Sequence, residues 1–317
     1  MNKKTWLIGI VSAALYLTAN SVGAQGRRME GNLEVIPVRD NIYLMVMEPA
    51  GNVAVCVGED GLLIVDNQFA PMTGRILTAI AELTDRPLRY VLNTHWHGDH
   101  TGGNLNLGRM GYTLVAHDNV RERMNSVQYH LLFRTGTRPQ PPQALPVITY
   151  SDRMTIHLAG ERIDVIHLPV AHTDGDSAVY FQAPDVLHTG DAFINRGYPL
   201  IDIASGGTIQ GQIEATNRML ELIGDNTIII PGHGPLADRR RMIEIRDMLV
   251  TARQKVVELI DQGLDARAIK AADPLAELNP VWEQGFVKSR AFVNIIYQSE
   301  TGDWSVPAAD EIKRWDE

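Results

Sequence analysis

The sequence predicts an α/β protein in which two β-sheets pack face to face and helices cover their outer surfaces. The chain has 317 residues, of which 44% are hydrophobic and 21% charged, and this excludes a disordered, collagen-like or multi-span membrane protein. Strand-like and helix-like patterns alternate along most of the chain. Two successive segments each contain several strands, then a helix, then a strand. This order of elements is typical of layered α/β folds.

The first 24 residues are predicted to be a secretory signal peptide. Lys3 and Lys4 precede an apolar run over residues 6–19, and small residues follow up to Ala24. A membrane anchor needs roughly 18 to 20 apolar residues, and this run is shorter. We therefore expect cleavage after Ala24 and a periplasmic or secreted mature protein that is not attached to the membrane.

The mature chain is acidic. Its formal net charge is −9 before cleavage, and removing Lys3 and Lys4 takes it to −11. Nucleic-acid binding depends mainly on clustered Lys and Arg, so we expect a small-molecule substrate and no nucleic-acid partner. The single cysteine, Cys56, cannot form an internal disulfide.

The first half of the mature chain is predicted to be a β-meander followed by a β-α-β unit. Apolar or alternating segments separated by turn residues predict strands at 33–38, 42–47, 52–58 and 62–65. Residues 72–83 carry apolar side chains at helical spacing, and a short apolar strand at 88–92 runs straight into Asn93-Thr94-His95.

The second half repeats this order. Strands are predicted at 154–158, 162–168, 177–181, 186–188 and 227–230, with a helix at 210–223 before the last of them. Residues 125–147 interrupt the pattern with four prolines between 139 and 146, which is typical of a surface loop or lid.

The C-terminal part is predicted to be helical. An apolar stripe from Ile245 to Leu259 ends at Gly263, and a second helix lies around residues 290–297. We interpret residues 241–317 as a helical extension that packs on the core or forms an oligomer contact. The predicted domains are thus the signal peptide 1–24, a main domain 25–240 and the extension 241–317.

The strongest chemical signal is His95-Trp96-His97-Gly98-Asp99-His100, which follows the predicted strand at 88–92. Residues two apart in an extended segment point to the same side, so His95 and His97 can reach one metal ion. Asp99 and His100 lie beyond Gly98, where the backbone can turn towards a neighbouring position. A surface histidine cluster would require neither the preceding strand nor the Gly-Gly pair that follows, so this short segment is predicted to serve two metal ions.

This His-x-His-x-Asp-His segment resembles the signature of the metallo-β-lactamase superfamily, and other family motifs occur in the family's order. Asp66 after the strand at 62–65 resembles the first-motif aspartate, and His172 in Ala-His-Thr-Asp-Gly-Asp resembles the third motif. Asp191 in Thr-Gly-Asp and His233 in Pro-Gly-His-Gly resemble the fourth and fifth. The resemblance covers residues 33 to about 240, and it implies a four-layer αβ/βα sandwich with a dinuclear metal site at the strand ends.

The resemblance also implies two zinc ions per chain, each held by three protein ligands: His95, His97 and His172 for one ion, and Asp99, His100 and His233 for the other. Asp191 is then expected to bridge the two ions, and Asp66 to orient a ligand imidazole. Each ion keeps an open position, as a catalytic zinc requires. Iron or manganese are the alternative metals.

The implied activity is that of an exported hydrolase. A hydroxide shared by the two ions would attack a carbonyl carbon, and Asp99 would take up or pass on a proton. Lactones, esters and β-lactams are the candidate substrates. The side chains that select the substrate are expected on loops such as 125–147 and 193–207. Trp96 either lines the substrate cleft or packs beside it.

Three alternative functions stay open. Zinc β-lactamases of the family typically carry Cys or Ser at the position of Asp191, which weighs against a dedicated β-lactamase, whereas an export signal favours one. An iron-dependent oxidoreductase would use the same ligands. The third alternative is a non-catalytic extracytoplasmic metal-binding module, for which this ligand set would be sufficient. The other histidines are expected to be structural or solvent-exposed: His117, His130, His157, His167 and His188.

Overall fold

The structure is a computed structural model that describes residues 33–158 and 160–306, and in these residues it confirms the two predicted sheets. The first sheet has the strand order β1-β2-β3-β4-β5-β6-β9. In the described residues its strands are β1 (Glu34–Arg39), β2 (Ile42–Val46), β3 (Val53–Gly58), β4 (Gly61–Val65), β5 (Leu88–Leu92), β6 (Thr113–His117) and β9 (Ile148–Tyr150). Strands β1 to β4 pair antiparallel as a meander, and β4, β5, β6 and β9 pair in parallel.

The second sheet keeps its strands in chain order. They are β10 (Arg153–Leu158), β11 (Glu161–His167), β12 (Ser177–Phe181), β13 (Val186–His188) and β14 (Ile228–Ile230). The first four pair antiparallel, and β13 and β14 pair in parallel. The parallel pairs of both sheets end at the same edge of the sandwich.

The helices lie outside the two sheets or in their connections. Within the described part of the chain they are α1 (Thr73–Leu83), α2 (Gly98–Thr101), α3 (Asn104–Arg109), α4 (Asp118–Met124), α5 (Ile209–Leu222), α6 (Arg239–Asp261), α7 (Ala266–Ala272), α8 (Asn279–Trp282) and α9 (Ser289–Thr301). Each of these is too short or too polar to cross a bilayer.

Three apolar interfaces make the fold a four-layer sandwich, as predicted. On β3, Ala54 and Cys56 face the second sheet, where they meet residues such as Phe181, while Val53 and Val55 face α1. The second sheet packs its other face on α5, α6 and α9. Each fully buried large side chain contributes about 1.5–3 kcal/mol to this packing.

The C-terminal helices share one core with the second sheet. Met219 of α5, Leu249 of α6 and Phe292 of α9 are buried in the same cluster. Helix α6 begins at Arg239, six residues before the apolar stripe, because the Asp238 carboxylate accepts a hydrogen bond from the backbone N–H of Arg241 at 2.7 Å. The domain boundaries stay predictions, and the predicted signal peptide lies outside the described residues.

Residues 125–147 contain more regular structure than the predicted loop. Strands β7 (Gln128–His130) and β8 (Thr135–Thr137) form a short antiparallel hairpin, and a 3₁₀ turn follows at Pro142–Ala144. The four prolines predicted an irregular segment, but they lie after the hairpin and leave its backbone donors intact.

Candidate metal centre

The side chains predicted to bind metal lie at one edge of the sandwich, where strands of both sheets end. Residues 93–100 follow β5, and Asp66 follows the neighbouring strand β4. In the second sheet, Asp191 and His233 follow β13 and β14, and His172 lies between β11 and β12. Carboxyl ends of parallel strands are the usual position of ligand sites in α/β folds.

His95, His97 and His172 form the first ligand set. Their ring centroids lie 4.7 to 4.9 Å from one another, and all three side chains are buried. His97 Nδ1 and His172 Nε2 are 2.9 Å apart. His95 Nε2 is buried and has no hydrogen-bond partner among the described residues. Three imidazole nitrogens thus face one point.

Hydrogen bonds on the far side of two of these rings assign their tautomers. His172 Nδ1 lies 2.7 Å from the carbonyl oxygen of Leu200, and His97 Nε2 lies 3.0 Å from a carboxylate oxygen of Asp202, so these nitrogens carry the protons. His97 Nδ1 and His172 Nε2, which face each other at 2.9 Å, are then the nitrogens that would bind a cation placed between them.

Burial keeps His95 and His172 of the first set neutral. Loss of hydration lowers the pKa of His95 well below its usual value, and it lowers the pKa of His172 to about 4 with the help of His97. An imidazole binds metal only through an unprotonated nitrogen. These two rings are therefore ready to bind at neutral pH.

Asp99, His100 and His233 form the second ligand set. His233 Nε2 lies 3.2 Å from Asp99 Oδ2 and 3.4 Å from His100 Nε2. Burial opposes ionisation of Asp99, but His100 and His233 outweigh it and lower the pKa of this carboxyl to about 2. Burial also disfavours a charged His100, yet nearby carboxylates led by Asp191 raise its pKa well above the usual value.

Asp191 lies between the two sets. Its Oδ1 is 3.3 Å from His100 Nε2 and 3.5 Å from His233 Nε2, whereas its Oδ2 is 3.7 Å from His172 Nε2. Burial opposes ionisation here too, but His233 and His100 hold the pKa of this carboxyl well below its usual value. Oδ1 is buried without a hydrogen-bond partner among the described residues. The two oxygens of one carboxylate thus face two different sets.

Glycines allow these side chains to approach so closely. A Cβ atom at Gly232 would lie 2.0 Å from Asp191 Oδ1, and one at Gly51 would lie 2.2 Å from the ring of His100. Any larger residue at either position would displace a predicted ligand.

Asp66 holds His100 of the second ligand set in place through a hydrogen bond to its Nδ1. Its Oδ2 accepts hydrogen bonds from His100 Nδ1 at 2.7 Å and from Thr94 Oγ1 at 2.8 Å, and its Oδ1 accepts one from the Thr94 backbone N–H at 2.8 Å. This fully buried carboxylate fixes the tautomer of His100 and directs its Nε2 towards Asp191.

The donor set fits divalent metal ions. The ligand atoms lie within 4.8 Å of one another in the groups His95-His97-His172 and Asp99-His100-His233, and also in His95-His100-Asp191 and His97-His130-Asp202. Imidazole nitrogens and carboxylate oxygens are the ligands that zinc prefers, and the orphaned His95 Nε2 and Asp191 Oδ1 lie where such ions would compensate them.

Asp202 and Ser205 are further residues at the site that no sequence motif indicates. Asp202 accepts hydrogen bonds from His97 Nε2 at 3.0 Å and from Ser205 Oγ at 2.7 Å, and Ser205 Oγ accepts one from Trp96 Nε1 at 3.2 Å. The ring of His130 stacks on Trp96 with centroids 5.0 Å apart, so Trp96 packs behind the site. Asp202 lies in the 193–207 loop, but no motif there distinguishes it from a turn aspartate.

His130 lies beside the site, which its sequence context does not indicate. Its ring lies 5.1 Å from that of His97, and its Nδ1 lies 3.7 Å from Asp202 Oδ2, because the β7–β8 hairpin folds back over the site. His188 is buried behind the site, where its Nδ1 accepts a hydrogen bond from the Gly190 backbone N–H. The remaining three histidines lie outside the ligand sets, and His157 among them is exposed.

Comparison with known proteins agrees with this architecture. Residues 47–233 match the family model of the metallo-β-lactamase superfamily. A lactamase-like protein of Emericella nidulans is 24% identical over 225 residues, which are 69% of this chain and 62% of that protein. A hydroxyacylglutathione hydrolase of Pelagibacter ubique is 22% identical over 229 residues, 72% of this chain and 81% of that protein.

A solved structure agrees as well. The metallo-β-lactamase of Pontibacter korlensis superimposes with a TM-score of 0.56 at 18% identity, over 69% of this chain and 99% of that one. At this identity the likeness shows the fold alone, and the family match covers more than half of the present chain. The chain therefore belongs to the metallo-β-lactamase superfamily.

Proposed function

We propose that this protein is an exported, dinuclear zinc hydrolase that cleaves an acyl substrate such as an ester, thioester or lactone. The observation that carries the proposal is the pair of three-residue ligand sets with the Asp191 carboxylate between them. Export is supported by the N-terminal pattern of Lys3, Lys4 and the following apolar run.

Two ions bound there would supply a water of lowered pKa and a Lewis-acid contact for a carbonyl oxygen. The chain itself orients this chemistry. Asp66 and Asp202 fix the rings of His100 and His97 from opposite sides of the site. The Asp99 side chain is 25% exposed, more than Asp191 at 11%, and it faces His233 Nε2, so it is placed to exchange a proton with the substrate side.

The presence of an aspartate at position 191, instead of Cys or Ser, supports an acyl substrate other than a β-lactam. An oxygen bridge at this position is what the family's thioesterases and lactonases keep, and a relative is named a hydroxyacylglutathione hydrolase, an enzyme that cleaves a thioester. A dedicated β-lactamase is the alternative that export would favour.

Metal analysis of the purified full chain tests the dinuclear part of the proposal. We expect two ions per wild-type chain, and fewer after His95→Ala or His233→Ala. The exposed His157 provides the matched control, since His157→Ala should keep both ions. At most one tightly bound ion at saturation would contradict the dinuclear centre.

A panel of ester, thioester, lactone, phosphodiester and chromogenic cephalosporin substrates tests the reaction. Turnover of the acyl substrates that disappears with His95→Ala and persists in His157→Ala supports the proposal. High turnover of the cephalosporin alone would identify a β-lactamase, and two bound ions without any turnover would favour a metal-binding module.

A further inference from the structure

His233 differs from the other histidines of the two ligand sets in how its ring is held. In each of the other four, the ring nitrogen that does not face the ligand set has a hydrogen-bond partner: Thr94 for His95, Asp202 for His97, Asp66 for His100 and Leu200 for His172. In residues 33–158 and 160–306, every polar contact of the His233 ring is made by Nε2. The position of this ring is therefore set mainly by its backbone.

The backbone on both sides of His233 has unusual conformational freedom. Gly232 precedes this residue, and Gly234 follows it with a φ of +92°. Glycine populates both signs of φ and loses more conformational freedom on folding than any other residue. Hydrogen bonds from elsewhere in the chain are thus needed to select one position for the His233 ring.

Asn52 supplies three of these hydrogen bonds. Its side-chain amide donates to the carbonyl oxygens of Pro231 and Gly234, each at 2.9 Å. Its backbone N–H donates to the carbonyl oxygen of Gly232 at 2.8 Å. Asn52 is only 2% exposed, so both protons of its amide depend on these carbonyls.

Asn195 supplies three more. Its backbone N–H donates to the carbonyl oxygen of His233 at 2.9 Å. Its side-chain amide donates to the carbonyl oxygens of Pro235 at 3.0 Å and Leu236 at 3.3 Å. Two asparagines therefore pair the six consecutive carbonyl groups of residues 231–236, which we call the His233 turn.

Arg241 fixes the orientation of the Asn195 amide. An asparagine amide can turn over with little change in shape, so its partners decide which end donates. Arg241 Nε donates to Asn195 Oδ1 at 2.8 Å, and a guanidinium can only donate, so Nδ2 faces the carbonyls of the His233 turn. The guanidinium itself lies 4.7 Å from the ring centre of Trp282 and pairs with Glu244 at 3.0 Å. Helix α6 is thereby joined to the turn that carries a predicted ligand.

We propose that Asn52 and Asn195 are positioning residues for the second metal ion: they hold the His233 ring at its ligand set, and Arg241 keeps the Asn195 amide in the donating orientation. Without the Asn195 side chain, more conformations are open to the His233 turn. The second ion should then bind less tightly, whereas the first ion should keep its affinity. This inference rests on the dinuclear centre of the proposed function.

A double-variant cycle on the full mature chain tests the inference, with zinc as the probe. His95→Ala disables the first ligand set and His233→Ala the second, and competition with a chelator measures the affinity of the remaining ion. In the His95→Ala background, Asn195→Ala should weaken zinc binding at least about tenfold. In the His233→Ala background it should change nothing, because the ring to be positioned is gone. A general loss of stability would weaken binding in both backgrounds.

Asn41→Ala is the matched control. Asn41 Nδ2 also donates to a backbone carbonyl, that of Val57 at 2.9 Å, but at the opposite end of β2 from the metal centre. This variant should leave zinc binding unchanged in both backgrounds, and circular dichroism of each variant checks its folding.

Arg241→Met is a second variant, at a partly exposed side chain, that keeps the test decisive if Asn195→Ala does not fold. It should weaken zinc binding in the His95→Ala background and not in the His233→Ala background. Equal weakening in both backgrounds, or no weakening by Asn195→Ala in the first, would overturn the inference. If only Arg241→Met is without effect, the role assigned to Arg241 is wrong.

These measurements separate the inference from the proposed function. If both ions bind and no ester is cleaved, the hydrolase proposal fails, and the zinc affinities still decide the positioning role. If wild type binds only one ion, the dinuclear centre fails, and crystal structures of chelator-treated wild type and Asn195→Ala decide instead. His233 Nε2 lies 3.2 Å from Asp99 Oδ2. A longer distance in Asn195→Ala supports positioning, and an unchanged distance refutes it.

Discussion

Asp191 is the residue expected to bridge the two ligand sets, because one oxygen faces His100 and the other faces His172. Asp191→Ala removes a negative charge from between two dications and increases their mutual repulsion in a poorly hydrated site. We expect one metal to be lost or weakened and turnover to fall by more than about a hundredfold. Metal content and turnover are measured together.

A second substitution at this position distinguishes a carboxylate that bridges two metal ions from one that contributes only its negative charge. A thiolate can bind the ion of the second set alone, so Asp191→Cys should recover part of the metal content and shift the preference towards cephalosporins. Asp225→Ala, at an exposed turn, is the control. Two ions and full activity in Asp191→Ala would show that this aspartate is only a turn residue.

Asp202 is expected to set the metal affinity of the first ligand set. Asp202→Asn keeps the shape of the side chain but removes the charge that faces His97 Nε2 at 3.0 Å. Loss of such a partner typically weakens metal binding about 10- to 100-fold. Competition with a chelator measures the affinity of each ion. An unchanged affinity in Asp202→Asn, equal to that of Asp225→Asn, would contradict this role.

Local motifs in the sequence single out the predicted ligands but not the residues that hydrogen-bond to them or pack against them. The seven predicted ligands carry local motifs at strand ends, and the structure brings all of them together with Asp66. Asp202 and His130 carry no such motif. Asp202 lies 105 positions from His97, and only the tertiary fold makes the two neighbours.

At the scale of elements, the long and strongly patterned ones were predicted within a few residues, such as α5 and β12. The helices α2 and α3 were not, because four and six residues are too few to show a helical period. Buried amides hold this region instead: Asn67 Nδ2 donates to Asn104 Oδ1 at 2.7 Å, and Asn104 Nδ2 donates to Asn93 Oδ1 at 2.8 Å. Asn67 and Asn104 are 37 positions apart, so no local sequence pattern indicates this network.

A histidine pair links the ends of β6 and β11 across the two sheets. The rings of His117 and His167 stack with centroids 3.7 Å apart and an interplanar angle of 10°. Burial, followed by the neighbouring His117, lowers the pKa of His167. Its Nδ1 donates to the carbonyl oxygen of Asp176 at 3.0 Å, which favours the charged form, but burial and His117 outweigh this hydrogen bond.

This pair predicts a loss of stability in acid. A histidine whose pKa is lower in the folded state stabilises the fold above its unfolded pKa of about 6.5, and this stability is lost as the pH falls below that value. Asn retains a donor near Nδ1 but does not titrate. Between about pH 7.5 and 5.5, the free energy of unfolding in urea should therefore fall less in His167→Asn than in wild type.

The exposed His157 gives the control for this measurement, since His157→Asn should follow the wild-type pH dependence. If His167→Asn loses as much stability in acid as wild type, the stacked pair does not contribute to the pH dependence.

At the scale of the whole molecule, processing is the remaining prediction. The Lys-apolar-small pattern of residues 1–24 predicts that the exported protein begins at Gln25. Intact-mass and N-terminal analysis of protein recovered outside the cytoplasm should find this residue first. A mature chain that still begins with Met1 would contradict the prediction.

Metal ions held by the predicted ligand sets would also cross-link the two sheets. His97 and His172 are 75 positions apart and His100 and His233 are 133 apart, so a bound ion closes long loops of the chain. One cysteine rules out the covalent alternative of an internal disulfide. Because the unfolded chain does not hold these ligands together, the binding free energy of the metal adds to the free energy of folding. The thermal stability of this protein should therefore rise and fall with the free metal concentration around it.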